Sequence, residues 1–305
     1  MFYRGTMLAR SPSRRKNPFW LDGWCSALTV LLLTTSCGFS QAAFDSPRLA
    51  EAYERMSAAQ YEIGIQLIPL LGVFSGSSVL DLGCGTGQLA SYVARITGPE
   101  GKVLGLDPSP YRIAIAQGRA RRGLSFAVGG SDSLSRLPAS SFDVVYLNYV
   151  FHWIDHRRQA LEAIHRILKP GGKLGISFED TSRPADLDEL IEQAAKEALG
   201  TLPPGLFLST APLGLEQLKA MLRKSGFRVV AVQKIESEDR AKTPKELLAF
   251  WRASSAGRFL SGVSEKTRRK ILHRIEQRLA AAQTGPGIRI TSETLLLIAE
   301  RSGEN

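Results

Sequence analysis

Cysteine is scarce in this chain, with three in 305 residues: Cys25, Cys37 and Cys84. None belongs to a C-x-x-C pair or to a spacing that suits zinc, so a disulfide framework and a metal site are not expected. Long apolar runs are also missing. The longest lies between Ala27 and about Cys37, short of the roughly 20 residues that a membrane-spanning helix needs. No arginine-rich run with interleaved aromatics marks a nucleic-acid surface, and no nucleic-acid partner is expected. No Gly-Lys-Ser or Gly-Lys-Thr follows a glycine loop, which excludes a P-loop. Internal repeats and low-complexity tracts are absent.

What remains is a chain with a real core, 44% hydrophobic and net +10. Arg4, Arg10, Arg14, Arg15 and Lys16, set against Asp22, carry four of those ten charges at the N-terminus. The moderately basic remainder suits an acidic small molecule, and equally an ordinary solvated surface. Few cysteines fit a reduced, cytoplasmic protein. The stretch SALTVLLLTTSCGFSQAAF, behind the basic residues, stays open to three readings. It has the order of a signal peptide: charged, then apolar, then small residues at Ser40, Ala42 and Ala43. It could instead be an anchor, with any membrane contact confined to residues 17–40, or follow from a start placed ahead of the true one. On each reading residues 1–43 stand outside a fold that spans 44–305, as a monomer or homodimer.

Residues 44–71 have helical apolar spacing and break at Gly72. Strands and helices then alternate. SVLDL, KVLGLD (ending at Asp107), LSFAVG, FDVVYLN and KLGISFED read as strands, and RRQALEAIHRILKPGG as a helix stopped by Pro170 and a glycine pair. Residues 226–235 and 293–301 add two more strands, separated by a mostly helical block. Strands spaced by helices imply a parallel sheet with helices on both faces.

In such a sheet the ligand sits beyond the carboxyl ends of the strands. The loop there reads Asp81-Leu82-Gly83-Cys84-Gly85-Thr86-Gly87-Gln88. Its glycines allow positive φ and close approach to backbone N–H groups. The dinucleotide fingerprint wants G-x-G-x-x-G, but here the third glycine comes one position early and Gln88 holds its place. Asp81 would repel a pyrophosphate and attract a cation. A ligand carrying an ammonium and a sulfonium fits better.

An apolar strand, an acid and GxGxG, in Val79 to Gly87, resemble the first motif of the class I S-adenosylmethionine-dependent methyltransferases. Asp107 stands 20 residues past Gly87, where that family's acid binds the ribose hydroxyls. LPASSFDVVYL (137–147) resembles its fourth strand and LKPGGKL (168–174) its turn into the fifth. Taken singly, the glycines read as a tight turn and Asp107 as a helix N-cap; their joint order and spacing favour the resemblance. It implies an α/β, Rossmann-like, seven-stranded, mostly parallel sheet with helices on both faces and a helical cap inserted over about 238–287. It implies S-adenosyl-L-methionine as cofactor, held by Asp81, Gly83, Cys84, Gly85, Thr86, Gly87, Asp107, Pro108 and Asn148. The acid that reads the adenine is replaced by Ser131 or shifted to Asp132. Tyr53 and Gln60 resemble residues that fold over the cofactor in small-molecule methyltransferases.

The acceptor is less determined. Behind the fourth strand, His152 could accept a proton and Trp153 could wall the sulfonium or the substrate; both are candidates for catalysis, against a plain helix start. The block 246–262 resembles the substrate cap of trans-aconitate and juvenile-hormone-acid methyltransferases, which esterify carboxylic acids. By that resemblance Trp251, Arg252, Arg258 and Phe259 form an apolar wall with a carboxylate anchor. The expected function is methyl transfer to a small molecule, with a carboxylic acid as first choice. The alternative is a non-catalytic module that binds the cofactor or a nucleoside; a dehydrogenase ranks third. Arsenic methylation is disfavoured, because it needs several thiolates and the body has one cysteine.

Overall fold

The computed structural model describes residues 44–303, apart from 183–185, 284 and 286. The expectations for residues 1–43 lie outside these. Helix starts are written into the sequence. Ser46, Ser109, Thr243 and Ser264 are N-caps whose hydroxyls accept from the N–H three residues on, and the first three precede a proline at the first helical turn. They open α1 (Pro47–Met56), α4 (Pro110–Gln117), α8 (Pro244–Ser254) and α9 (Glu265–Ala282). The other helices are α2 (Ala58–Leu70), α3 (Gln88–Thr97), α5 (Arg157–Ile167), α6 (Asp186–Leu199) and α7 (Leu215–Lys224).

Seven strands form one sheet: β1 (Ser78–Leu82), β2 (Lys102–Asp107), β3 (Leu124–Val128), β4 (Phe142–Asn148), β5 (Leu168–Glu179), β6 (Phe227–Ala241) and β7 (Ile288–Arg301). Their order is β3-β2-β1-β4-β5-β7-β6. β7 runs antiparallel to both neighbours, and the other pairings are parallel. The order reverses between β1 and β4, so the carboxyl ends of these strands bound the crevice where open α/β sheets bind ligands.

Two of the apolar cores among the described residues bear on the site. The first packs Ile63, Leu67 and Ile68 of α2, and Leu89, Ala90 and Val93 of α3, on Val79, Val103, Val144 and Tyr146 of the sheet. The second joins the helices between β6 and β7 to α6. Ile271, Ile275 and Leu279 repeat every four residues along α9 and meet Ile191, Ala194 and Ala195 of α6 and Leu247 and Leu248 of α8. Each fully buried isoleucine in that row contributes about 1.5–3 kcal/mol.

Three sequence boundaries need correction. α5 ends at Ile167, before Pro170, and Lys169 to Gly172 form a bulge inside β5, where the register with β4 jumps from Phe142–Leu168 to Val144–Lys173. β6 continues past 235 to Ala241, and β7 begins at Ile288 rather than 293, because Glu236 to Ala241 pair with Glu293 to Ile288. The stretch expected for the cap therefore begins as strand, and its helices occupy 244–282. Among the described residues no helix is long and apolar enough to cross a membrane.

Candidate functional site

The glycine loop turns directly off β1 into α3. Gly83 lies at φ +84, and a Cβ there would sit 2.3 Å from Val150. Gly85 lies at φ +56, and its Cβ would come within 3.0 Å of the Tyr53 ring. Both positions demand glycine on conformation and on space. Gly87 is the N-cap of α3, whose first N–H groups and dipole face the loop.

Asp81 lies in the buried part of β1 at 2% exposure and accepts from the Tyr146 hydroxyl at 2.8 Å. No cation pairs with it among the described residues. Burial pushes its carboxyl up to about 7, only partly opposed by the Tyr146 hydrogen bond, and the nearby Asp107 charge adds to the rise. Asp107, at the end of β2, is also raised by burial. The Arg112 charge opposes that rise, as do backbone N–H bonds from Ser109 and Gly85, both at 2.9 Å. The Cys84 thiol is buried and driven well above its ordinary range by desolvation, so it is inert.

A cleft opens beside the loop, lined by Tyr53, Ser57, Gln60, Tyr61, Asp81, Gly83, Cys84, Thr86, Gln88, Leu89 and Asn148. Asn148 donates to the Gln60 carbonyl at 2.8 Å and accepts from Ser177 at 2.7 Å, which ties α2 to the switch point. The Gln60 Oε1 is buried without a partner. Helix α1 lies over the loop. Gln88 donates to the Glu54 carbonyl at 3.1 Å, and Glu54 forms an ion pair with Arg119.

His152 and Trp153, which are not among the residues lining the cleft, occupy the short 3-10 helix Phe151–Trp153, behind β4. Burial lowers the His152 imidazole to about 4, and the Arg157 charge adds to this, so the ring is neutral at physiological pH. Trp153 stacks on Phe207 with centroids 5.9 Å apart. The Arg258 guanidinium lies 4.5 Å from the Phe207 ring centre and 5.5 Å from that of Trp153. Arg258 makes no ion pair among the described residues. Its loop is clamped by backbone bonds from Leu260 N to the Phe207 carbonyl and from Phe207 N to the Ser261 carbonyl, 2.8 and 3.2 Å. Ala256 and Leu260 flank it at φ +50 and +58, a left-handed strain of about 1–3 kcal/mol each that concentrates at working sites.

Of the residues singled out in the sequence, Tyr53, Gln60, Asp81, Gly83, Cys84, Thr86 and Asn148 line the cleft together. Gly85, Gly87, Asp107 and Pro108 sit beside it in the loop and at the end of β2. Ser131 and Asp132 open a 3-10 helix behind β3, with Asp132 exposed, and neither lines the cleft. Trp251 is also placed elsewhere: it packs edge-on against Phe259, 5.6 Å away, as part of the helical core. Its face of α8 carries Leu247 and Leu248, so packing claims it. Ser57, Tyr61, Gln88 and Leu89 were not singled out as cleft residues. Ser57 sits between α1 and α2 and Tyr61 in the apolar α2, and neither carries a chemical signal. Gln88 did carry one, as the residue that breaks the dinucleotide spacing.

A mostly parallel sheet with a glycine loop at its switch point, a cleft lined by one buried acid and a second buried acid bonded to the loop defines a nucleoside-cofactor fold. The family described as a methyltransferase domain matches residues 80–176. The chain is 33% identical over 158 residues to an arsenite methyltransferase of Aquipseudomonas alcaligenes, covering 48% of this chain and 45% of that protein. It is 32% identical over 208 residues to the methyltransferase GfsG of Streptomyces halstedii, covering 66% of this chain and 68% of the relative. The solved YcgJ protein of Bacillus subtilis shares the fold, with a TM-score of 0.54 at 18% identity over 79% of this chain and 98% of its own. The chain belongs to the S-adenosylmethionine-dependent methyltransferases, and S-adenosylmethionine is its cofactor. The cleft fits that ligand. The unpartnered Gln60 Oε1 and the desolvated Asp81 carboxylate suit a cationic group, and Asp107 keeps lone pairs free for hydroxyl donors.

Proposed function

We propose that the protein methylates a small carboxylic acid, giving a methyl ester. The observation that carries this reading is Arg258: a guanidinium stacked on Phe207 and Trp153, with no carboxylate of the described protein against it. Stacking occupies one face of the guanidinium and leaves its N–H edge able to hold an acid in bidentate fashion. The helices between β6 and β7 resemble in placement the substrate cap of acid methyltransferases, which agrees with this choice. The cofactor, when bound, supplies an electrophilic methyl carbon. The chain's work is then to hold donor and acceptor in line and exclude water. A carboxylate is already deprotonated, so no proton has to move and His152 serves as a neutral wall. Asp81 and Gln60 hold the donor's cationic end, and Asp107 its hydroxyls. The arsenite relative is a poor guide to the acceptor, since Cys84 is the single cysteine of the body and is buried.

Transfer of labelled methyl to pools of acids, amines and phenols tests this. The expected product is an alkali-labile label on acids, lost in Arg258→Met while S-adenosylhomocysteine binding stays within about twofold of wild type. Alkali-stable label on amines or phenols overturns the acid reading. Intact binding with no turnover on any pool favours the non-catalytic module.

A further inference from the structure

One buried cation touches three parts of the molecule that share no strand. The Arg112 side chain, 9% exposed, points from α4 toward the glycine loop and pairs through Nε with Asp45, whose side chain is fully buried, at 3.4 Å. One terminal nitrogen donates to the carbonyls of Ala253 and Ser254 at the end of α8, 2.6 and 3.4 Å away. Its flat face lies 4.2 Å from the centre of the Tyr53 ring. That ring is what a Cβ on Gly85 would strike. Asp45 also accepts from the Ser109 hydroxyl at 2.6 Å, and the Ser109 N–H holds Asp107. Covering ring, donor acid and cap helix thus converge on a single guanidinium.

We propose that Arg112 is a positioning residue: it seats Tyr53 over the cofactor loop and makes that seating depend on where α8 stands. This rests on the cofactor site assigned above. Only a guanidinium can pair with Asp45, bond the α8 carbonyls and stack on a ring at once; an ammonium lacks the flat face and the fork. Arg112→Met would strand a buried carboxylate and unfold the chain, so Arg112→Lys is the informative change, because it keeps the charge beside Asp45.

Calorimetry with S-adenosylhomocysteine on the full chain is the test. Wild-type binding is the control, and its absence would count against the cofactor site rather than against Arg112. Arg112→Lys is expected to raise Kd about tenfold in a chain that keeps a folded far-UV spectrum, as is Tyr53→Leu. The double variant should be no weaker than either single one, since both remove the same seating. Asp45→Asn, which keeps the shape of the cluster without its charge, should move Kd in the same direction by a smaller factor. Wild-type affinity in Arg112→Lys, or additive losses in the double variant, overturns the proposal.

Discussion

The cofactor loop and the proposed acceptor side are held by different means. At residues 81–88 the backbone itself is the device: positive-φ glycines, carbonyls and N–H groups fixed between β1 and α3, with buried acids behind them. At Trp153, Phe207 and Arg258 three side chains from distant segments meet, joined by ring contacts and two backbone bonds. A site made of backbone admits few sequences and one geometry. A site made of side chains can be re-aimed by substitution while the fold stays the same. The donor is therefore readable from residue spacing, whereas the proposed acceptor side rests on contacts between distant segments.

If the comparison holds, damage to the donor side should be close to absolute. Gly85→Val forces a β-branched residue to φ +56 and drives its side chain against Tyr53. The expected outcome is loss of measurable S-adenosylhomocysteine binding by calorimetry, at least about a hundredfold, with a folded far-UV spectrum. Binding within tenfold of wild type would show that the loop gives way and that the backbone is not the device. Asp107→Ala comes next. It leaves the N–H groups of Gly85 and Ser109 without their acceptor at a cost of about 1–3 kcal/mol each, and removes the acceptor for ribose hydroxyls. The same titration should show at least a tenfold loss, and Asp107→Asn should recover part of it.

How much was legible follows the same division. SVLDLGCGTGQ could be read because each of its constraints acts locally: an acid, a turn and a helix start within eleven residues. Asp45 and Arg112 could not, since they meet across 67 positions and each looks alone like a helix-end charge. Phe207 follows Pro203-Pro204-Gly205, a turn signal that carries no chemistry. The far ends of β6 and β7 were missed for another reason. ESEDRA runs past the strand end expected at residue 235, yet the charges around it are met across the hairpin, Lys234 with Glu293 at 2.6 Å and Glu238 with Arg289 at 2.9 Å. Cross-strand charge pairs of this kind hold an exposed ladder together without an apolar alternation.

A milder probe asks whether Asp81 acts by charge. Its carboxyl is half-protonated near pH 7 when nothing cationic is bound, and a cation favours the ionised form. Below about pH 7 binding must first expel a proton, so affinity should fall by up to about tenfold per unit and level off above it. Tyr146→Phe removes a hydrogen bond that favours the ionised form, so the inflection should move to higher pH. Asp81→Asn should bind weakly with no inflection. Calorimetry in buffers of different ionisation enthalpy, from about pH 5.5 to 8.5, measures both the affinity and the proton release. A flat Kd across that range would assign the discrimination to shape alone.

The smallest expected effect concerns His152. A general base contributes about 10²–10⁴-fold where an acceptor must lose a proton. His152 stands in the turn behind β4, and burial keeps it neutral, with its pKa lowered to about 4. A carboxylic acid acceptor, however, arrives deprotonated. On that reading His152→Gln, similar in size and able to keep a hydrogen bond, should lower kcat by less than about threefold and leave the pH profile between 5.5 and 8 unchanged. A loss of about a hundredfold with a new pH dependence would mean that a proton leaves the acceptor at this ring. The acceptor would then be an amine or a hydroxyl, Arg258 would hold a remote anionic group, and the acceptor side would rest on one catalytic side chain rather than on a stacked cation alone.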